Sequence, residues 1–563
     1  MLYLSLLLLL AVTTLLAYPL GRYMARVYRG ERTLLDFLTP LERRLLRLAG
    51  IDPAAEHSWQ KNLLALLVLN GLFFLWALVI LMVQASLPLN PDGIPNMPFH
   101  QAFNTAISFM TNTNLQHYSG ETGASYFTQL LVFCYLQFVS AATGMAALVL
   151  VMRAITQSRN GLVGNFYVFF LKSATRILLP LAILLAVALL VDGVPATLEG
   201  AAQATTLEGA TQTIARGPSA PMVAIKQLGT NGGGYFGPNS AHPLENPTVT
   251  SNLLEWMAIL LLPMAMVFAF GRYIGRPRLG WMLYGVMMAG YLCLLLPTVY
   301  QEVQGNAALA QMDIYQPDGS MEGKESRFGP GLSALWGVTT TCTSNGSVNA
   351  MHDSFTALSG TFLLLGMMVN AFWGGVGVGL LNMYVFVVLA VFMGGLMIGR
   401  TPELWGKKLE PREIKLAALV FLLHPLLILL GTGLAAHIQA TQGDATGWLA
   451  NPGYHGFSEM LYEMTSSSAN NGSGFEGLGD NTPFWNYATG IIMLLARFLP
   501  IIGPVAIGGL LAAKQTLPET GGSLRTDNFT FGLLLFFVVL ILSALAFFPA
   551  LALGPVAEYL TLI

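Results

Sequence analysis

GTNGGGYFG, residues 229–237, is the stretch on which the fold turns. A run of small polar residues and glycine is ordinarily a loop. Here it follows a short semi-apolar segment, PSAPMVAIKQL (218–228), and stands between two long apolar runs. The same pairing occurs three more times. PFHQAFNTAISFM (98–110) leads into TNTNLQHYSG from Thr111, GLSALWGVTTTC (331–342) into CTSNGSVNA from Cys342, and GFSEMLYEMTSS (456–467) into SANNGSGFEG from Ser468. Superposing the polar runs aligns Asn112-Thr113-Asn114, Thr230-Asn231-Gly232, Ser344-Asn345-Gly346 and Asn470-Asn471-Gly472, whose last members lie 118, 114 and 126 residues apart. One such cluster is a loop; four at near-equal spacing are an internal repeat.

The surroundings are those of a membrane. Of 563 residues 54% are hydrophobic and 10% charged, against about 25% charged in soluble domains. Ten apolar runs approach the ~20 residues a bilayer core requires, near 2–20, 62–86, 126–152, 170–191, 251–271, 279–303, 356–398, 415–436, 486–513 and 530–560. The seventh is too long for one simple span and is broken by Gly374, Gly375, Gly377 and Gly379, which predicts a kinked or interrupted helix. The first run lacks the flanks of a signal peptide and reads as a retained helix. Of the 27 Lys and Arg residues, 22 fall at 22–61, 153–176, 272–278, 400–415 and 514–525. The positive-inside rule makes those the cytoplasmic segments, with both termini and the four repeat loops outside.

The predicted fold is therefore an all-α polytopic membrane protein. A first helix and linker (1–61) precede four repeats of span, pore helix, polar loop and span (62–160, 161–276, 277–400, 401–514), and a last helix follows (515–563). Semi-apolar stretches of 10–14 residues suit re-entrant helices. Non-helical backbone at membrane depth must be buried in protein or line a watery path. A helix entering from outside points its negative end at the membrane centre, and the glycines after it let carbonyls face inward with no side chain between. Four such strands around one axis make rings of carbonyls that replace the hydration shell of a monovalent cation. No carboxylate lies in the four triads, which disfavours a divalent ion. The reading is a potassium-type filter at Asn112, Thr113, Asn114, Thr230, Asn231, Gly232, Ser344, Asn345, Gly346, Asn470, Asn471 and Gly472.

The balance of 27 basic against 29 acidic residues excludes a basic nucleic-acid surface. Three scattered cysteines, Cys134, Cys293 and Cys342, build neither a disulfide framework nor a zinc site. There is no GxSxG, HExxH or CxxC, no GxxxxGK[ST] and no DKTGT, so no catalytic or nucleotide site is expected in this chain. Arg497 lies inside an apolar span, where an arginine is costly and faces a cavity or a partner. Its charge is expected to line the path below the filter and limit cation leak, with a helix-end structural bond as the plain alternative. The Gly374–Gly379 stretch is expected to be a movable segment under the filter, against close helix packing. Lys226 and Glu463, on pore helices, read equally as mouth charges or solvated positions. His117, His242 and His352 are expected to serve ordinary hydrogen bonding. Asn345-Gly-Ser and Asn471-Gly-Ser match a glycosylation sequon weakly, and ATLEGA (196–201) and TTLEGA (205–210) read as a turn-rich loop.

TNTNLQHYSGE (111–121), GTNGGGYFGPNSAHPLENPT (229–248), TSNGSVNAMHDS (343–354) and SANNGSGFEGL (468–478) resemble the filter segments of the A subunits of bacterial Kdp potassium pumps (KdpA). IGRTPELWGKK (398–408) resembles that family's cytoplasmic loop after the third repeat, and the likeness covers essentially the whole chain. More distantly, the repeat is similar to Trk/Ktr/HKT transporters and potassium channels. The family resemblance implies a potassium-binding and translocating subunit of an ATP-driven uptake pump in a bacterial inner membrane. K+ would be its bound substrate, with no nucleotide in this chain. The implied partners are a P-type ATPase subunit (KdpB-like), a single-span C subunit (KdpC-like) and a small F peptide (KdpF-like). The filter glycines carry over to Gly232, Gly346 and Gly472; the first loop has Asn114 where the pattern asks for Gly. The repeat alone leaves open a self-sufficient Trk/Ktr-like channel or transporter, which needs the same filter.

Overall fold

The computed structural model describes residues 2–397, 399, 401–518 and 524–562. Among these, ten helices are long and apolar enough to cross a membrane: Leu2–Arg29, Trp59–Ser86, Thr128–Thr156, Phe166–Val191, Val249–Tyr273, Pro277–Gln311, Val378–Met397, Pro411–Gln442, Pro483–Ala512 and Phe529–Leu553. The protein is an all-α, multi-pass membrane protein. Four shorter helices stand between consecutive spans, at Phe99–Met110, Ser219–Leu228, Gly329–Cys342 and Tyr454–Ala469, and each leads into one of the four polar triads.

Burial separates inner from outer helices. In the most apolar windows of the third, fifth, seventh and ninth spans, 67–89% of residues are buried, against 17–50% in the other six. The four inner spans therefore surround the axis, and the others present leucines and valines such as Leu64, Leu184, Leu422 and Leu545 outward, the face a lipid tail would cover. The first span lies against the fifth, where a Cβ on Gly21 would stand 2.5 Å from the Ala265 carbonyl oxygen. Only glycine allows that approach.

The seventh apolar run divides as its glycines predict. Ala357–Val369 is a short helix, the chain is non-helical from 370 to 377, and Val378 resumes the helix to Met397. Asn370 ends the first half in the left-handed region at φ 46°, a conformation asparagine tolerates better than most residues. The ATLEGA/TTLEGA region forms more than turns: Ala202–Thr205 pairs antiparallel with Thr211–Ile214 in a small exposed hairpin. Its Thr-rich strands favour pairing once a turn joins them.

Candidate functional site

The four triads share one backbone conformation. Their first members, Asn112, Thr230, Ser344 and Asn470, have φ of 63°, 48°, 51° and 52°, and their third members, Asn114, Gly232, Gly346 and Gly472, have 55°, 66°, 87° and 102°. The middle members, Thr113, Asn231, Asn345 and Asn471, are absent from the left-handed region. In an extended strand successive carbonyls point to opposite sides; alternating the hand at each residue turns them to one side. Asn114 meets this requirement as glycine does, being a residue type for which positive φ is tolerable. Thr230 is β-branched and meets it against its preference, a strained position of the kind found at functional sites.

The triads also close on one another in order. A Cβ on Gly232 would stand 2.0 Å from the Asn345 carbonyl oxygen, one on Gly346 2.0 Å from that of Asn471, and one on Gly472 2.0 Å from that of Thr113. The remaining junction, first loop to second, uses a side chain: Asn114 Nδ2 donates to the Gly232 carbonyl at 2.9 Å, and Asn112 Nδ2 to that of Thr230 at 2.8 Å. Middle-position amides tie the third and fourth loops to the pore helix of the preceding repeat, Asn345 Nδ2 donating to the Lys226 carbonyl at 3.1 Å and Asn471 Nδ2 to that of Thr340 at 2.8 Å. Ser140 on the third span donates to Asn112 Oδ1 at 2.8 Å. Eleven of the twelve triad residues are buried and Gly472 is half-buried; the burial of Asn345 and Asn471 removes them from consideration as glycosylation acceptors.

The non-helical segment of the seventh span lies against the inner side of this ring. The Val376 amide donates to Thr230 Oγ1 at 2.9 Å, that of Gly374 to the Cys342 carbonyl at 2.8 Å, and Ser344 Oγ to Asn370 Oδ1 at 2.8 Å. A Cβ on Gly377 would stand 2.2 Å from the Gly144 carbonyl oxygen, and one on Gly379 2.0 Å from that of Trp373, so this segment is also closely packed. Arg497 comes to the same place. Its guanidinium donates to the Ser140 carbonyl at 3.3 Å and stands 3.2 Å from where a Gly144 Cβ would be. Ser344, Asn370, Gly375, Asn470, His424 and Arg497 line a cavity of about 50 Å³, room for a few water-sized occupants. The carbonyl that Arg497 bonds lies within the third span and not at a helix end, and the guanidinium also faces this cavity.

On the mouth side, a concavity is lined by Asn114, Gln116, His117, Gly346, Gly472, Glu476 and Asp480 among others. Lys226 and Glu463 are buried rather than solvated. Lys226 pairs with Glu245 and donates to Asn239 Oδ1 at 2.7 Å; Glu463 meets His117 Nε2 at 3.2 Å. Asp480 lies 3.8 Å from the same nitrogen, and Asn486 Oδ1 is 3.0 Å from His117 Nδ1. Burial works against the imidazolium, but Asp480 and Glu463 outweigh it and raise the His117 pKa to about 9. His117 is therefore an ion-paired residue, more than an ordinary hydrogen-bonding one. His352 bonds Tyr462 at 2.9 Å, with burial and Lys324 driving its pKa down to about 3. His242 stacks on Phe236. Ser140, Gly144 and Asn370 escaped the sequence reading. A polar side chain closing an apolar run was the signal for Asn370; nothing local marked the other two.

The family model described as potassium-transporting ATPase A subunit, KdpA, matches residues 7–560. The chain is 56% identical to the potassium-transporting ATPase potassium-binding subunit of Flavobacterium psychrophilum, with 98% of each chain covered. It is 54% identical to the protein of that description from Phocaeicola vulgatus, again over 98% of each. For the one from Alicyclobacillus acidocaldarius the figure is 48%, over 97% of this chain and 96% of the relative. On that match, spanning nearly its whole length, the chain belongs to the KdpA family of potassium-transporting ATPase A subunits.

Proposed function

We propose that the protein is the potassium-binding and translocating subunit of an ATP-driven potassium uptake pump of a bacterial inner membrane. The observation that carries this reading is the ring. Four loops of one left-handed alternation touch in cyclic order, three through a glycine on a neighbour's carbonyl and one through Asn114. Potassium sheds water at carbonyls of 112–114, 230–232, 344–346 and 470–472, and sodium is rejected because these oxygens do not repay its larger dehydration cost. The pore helices aim their negative ends at the ion. Below the ring the 370–377 segment gates the path and Arg497 opposes free cation passage, so the ion moves sideways to a partner. That partner is a P-type ATPase subunit, which supplies the hydrolysis this chain has no motif for; a single-span C subunit and a small F peptide complete the assembly. Both termini and the filter mouth face the periplasm, a placement that the distribution of Lys and Arg supports.

The test is ATP hydrolysis by the chain purified with its co-purifying subunits, in potassium against sodium. Potassium-stimulated hydrolysis supports a selective site coupled to an ATPase partner. No stimulation from an intact preparation, with passive potassium flux in liposomes, would instead make this a channel or Trk-like transporter.

A further inference from the structure

Away from the ring, on the side of the molecule where the pore helices begin, Asp353, His455 and Glu459 converge. One oxygen of each carboxylate and one ring nitrogen lie within 4.8 Å of one another. Asp353 follows the third loop, while His455 and Glu459 sit one turn apart on the fourth pore helix, so both of the latter face one side. His455 Nε2 stands 2.9 Å from Asp353 Oδ1, and Nδ1 2.9 Å from Glu558 Oε1 on the C-terminal helix Pro555–Leu562. Asn451 Nδ2 donates to Glu459 Oε1 at 3.1 Å.

Acidic groups often gather without a ligand, but two further features set this cluster apart. Glu459 is fully buried, and its Oε2 has no hydrogen-bond partner, an arrangement that costs free energy unless a cation or proton satisfies it. Gly477 packs directly on the carboxylates, where a Cβ would stand only 2.7 Å from both Asp353 Oδ2 and Glu459 Oε1, so a larger residue would crowd them. In the comparable group of His117, Glu463 and Asp480, no carboxylate oxygen is both buried and unpartnered.

We propose that Asp353, His455 and Glu459 bind a first-row divalent cation, with Zn2+ preferred. One imidazole and two carboxylates suit such an ion, whereas magnesium and calcium favour all-oxygen sets. His455 coordinates through Nε2, giving up its bond to Asp353, and its Nδ1–H donates to Glu558. That carboxylate fixes the ring as carboxylates behind metal-bound histidines do. The ion staples the third loop to the outer end of the fourth pore helix, whose other end carries the Asn470–Gly472 triad, and through Glu558 it holds the C-terminal helix.

The test is isothermal titration of the chelator-stripped, full-length chain, with its co-purifying subunits, using ZnCl2. The expected result is one saturable site per chain, weakened at least about tenfold in E558Q and more in H455Q and E459Q, with H117Q unchanged. Zinc-edge absorption on the wild type should show nitrogen and oxygen neighbours at about 2.0–2.1 Å, a reading that does not depend on any variant folding. No saturable binding at micromolar zinc, binding lost in H117Q instead, or sulfur among the neighbours would overturn the proposal.

Discussion

Gly472 of the fourth loop lies against the Thr113 carbonyl oxygen of the first, leaving no room for a Cβ, which would stand 2.0 Å away. Its φ of 102° adds backbone strain for any other residue, on the order of 1–3 kcal/mol. Gly472→Ala should therefore raise the potassium concentration for half-maximal ATPase stimulation by about tenfold or more. Gly232→Asp and Gly346→Asp, at the equivalent junctions, should weaken potassium affinity and relax selectivity over sodium. Gly360→Ala is the control, since its nearest contact is an ordinary 3.4 Å to the Phe475 ring. Unchanged potassium-over-sodium preference in both aspartate variants would remove the filter assignment.

The first loop gives a finer test, because Asn114 supplies both a left-handed backbone and a donor to the Gly232 carbonyl. Asn114→Gly keeps the first and loses the second, about 1 kcal/mol, so potassium affinity should fall severalfold. Asn114→Val loses both and places a β-branched residue at positive φ, so it should be much worse. Titrating potassium against ATPase rate ranks them; a glycine variant worse than valine would mean the backbone conformation is not the requirement.

How far the sequence carries the reader follows from what kind of signal each feature leaves. The spans, the four loops and the break after Val369 were legible because hydropathy and glycine act locally and the repeat supplied four copies of one message. Asn114 looked like a flaw only because the alignment asks for glycine; what the ring requires is positive φ, which asparagine also supplies. The burial of Lys226 and Glu463 was not legible. Their partners, Glu245 and His117, come from segments 19 and 346 residues away, and no periodicity reports that. The Asp353, His455 and Glu558 junction is of the same kind, although the i, i+4 pair His455 and Glu459 was in plain view.

Arg497 separates two roles that share one geometry. If its charge guards the path below the ring, Arg497→Gln, which keeps an N–H donor for the Ser140 carbonyl, should still leak. Passive, ATP-independent potassium flux into liposomes should rise, and Arg497→Lys should stay tight. If the residue serves only to cap that carbonyl, glutamine should behave as wild type.

His117 makes the mouth sensitive to pH. Asp480 and Glu463 raise its pKa to about 9 against the cost of burial, while the unfolded chain titrates near 6.5. Because the folded value is the higher one, the ion pairs' contribution to stability is fully present below about pH 6.5 and is lost as pH rises through about 9. Thermal unfolding of the wild type should therefore show a midpoint that falls across that window. His117→Gln, which cannot titrate, should have a lower midpoint at pH 6 and lose that part of the slope, the two curves converging above about pH 9. Parallel curves for the two proteins from pH 6 to 10 would show that His117 stays in one protonation state throughout.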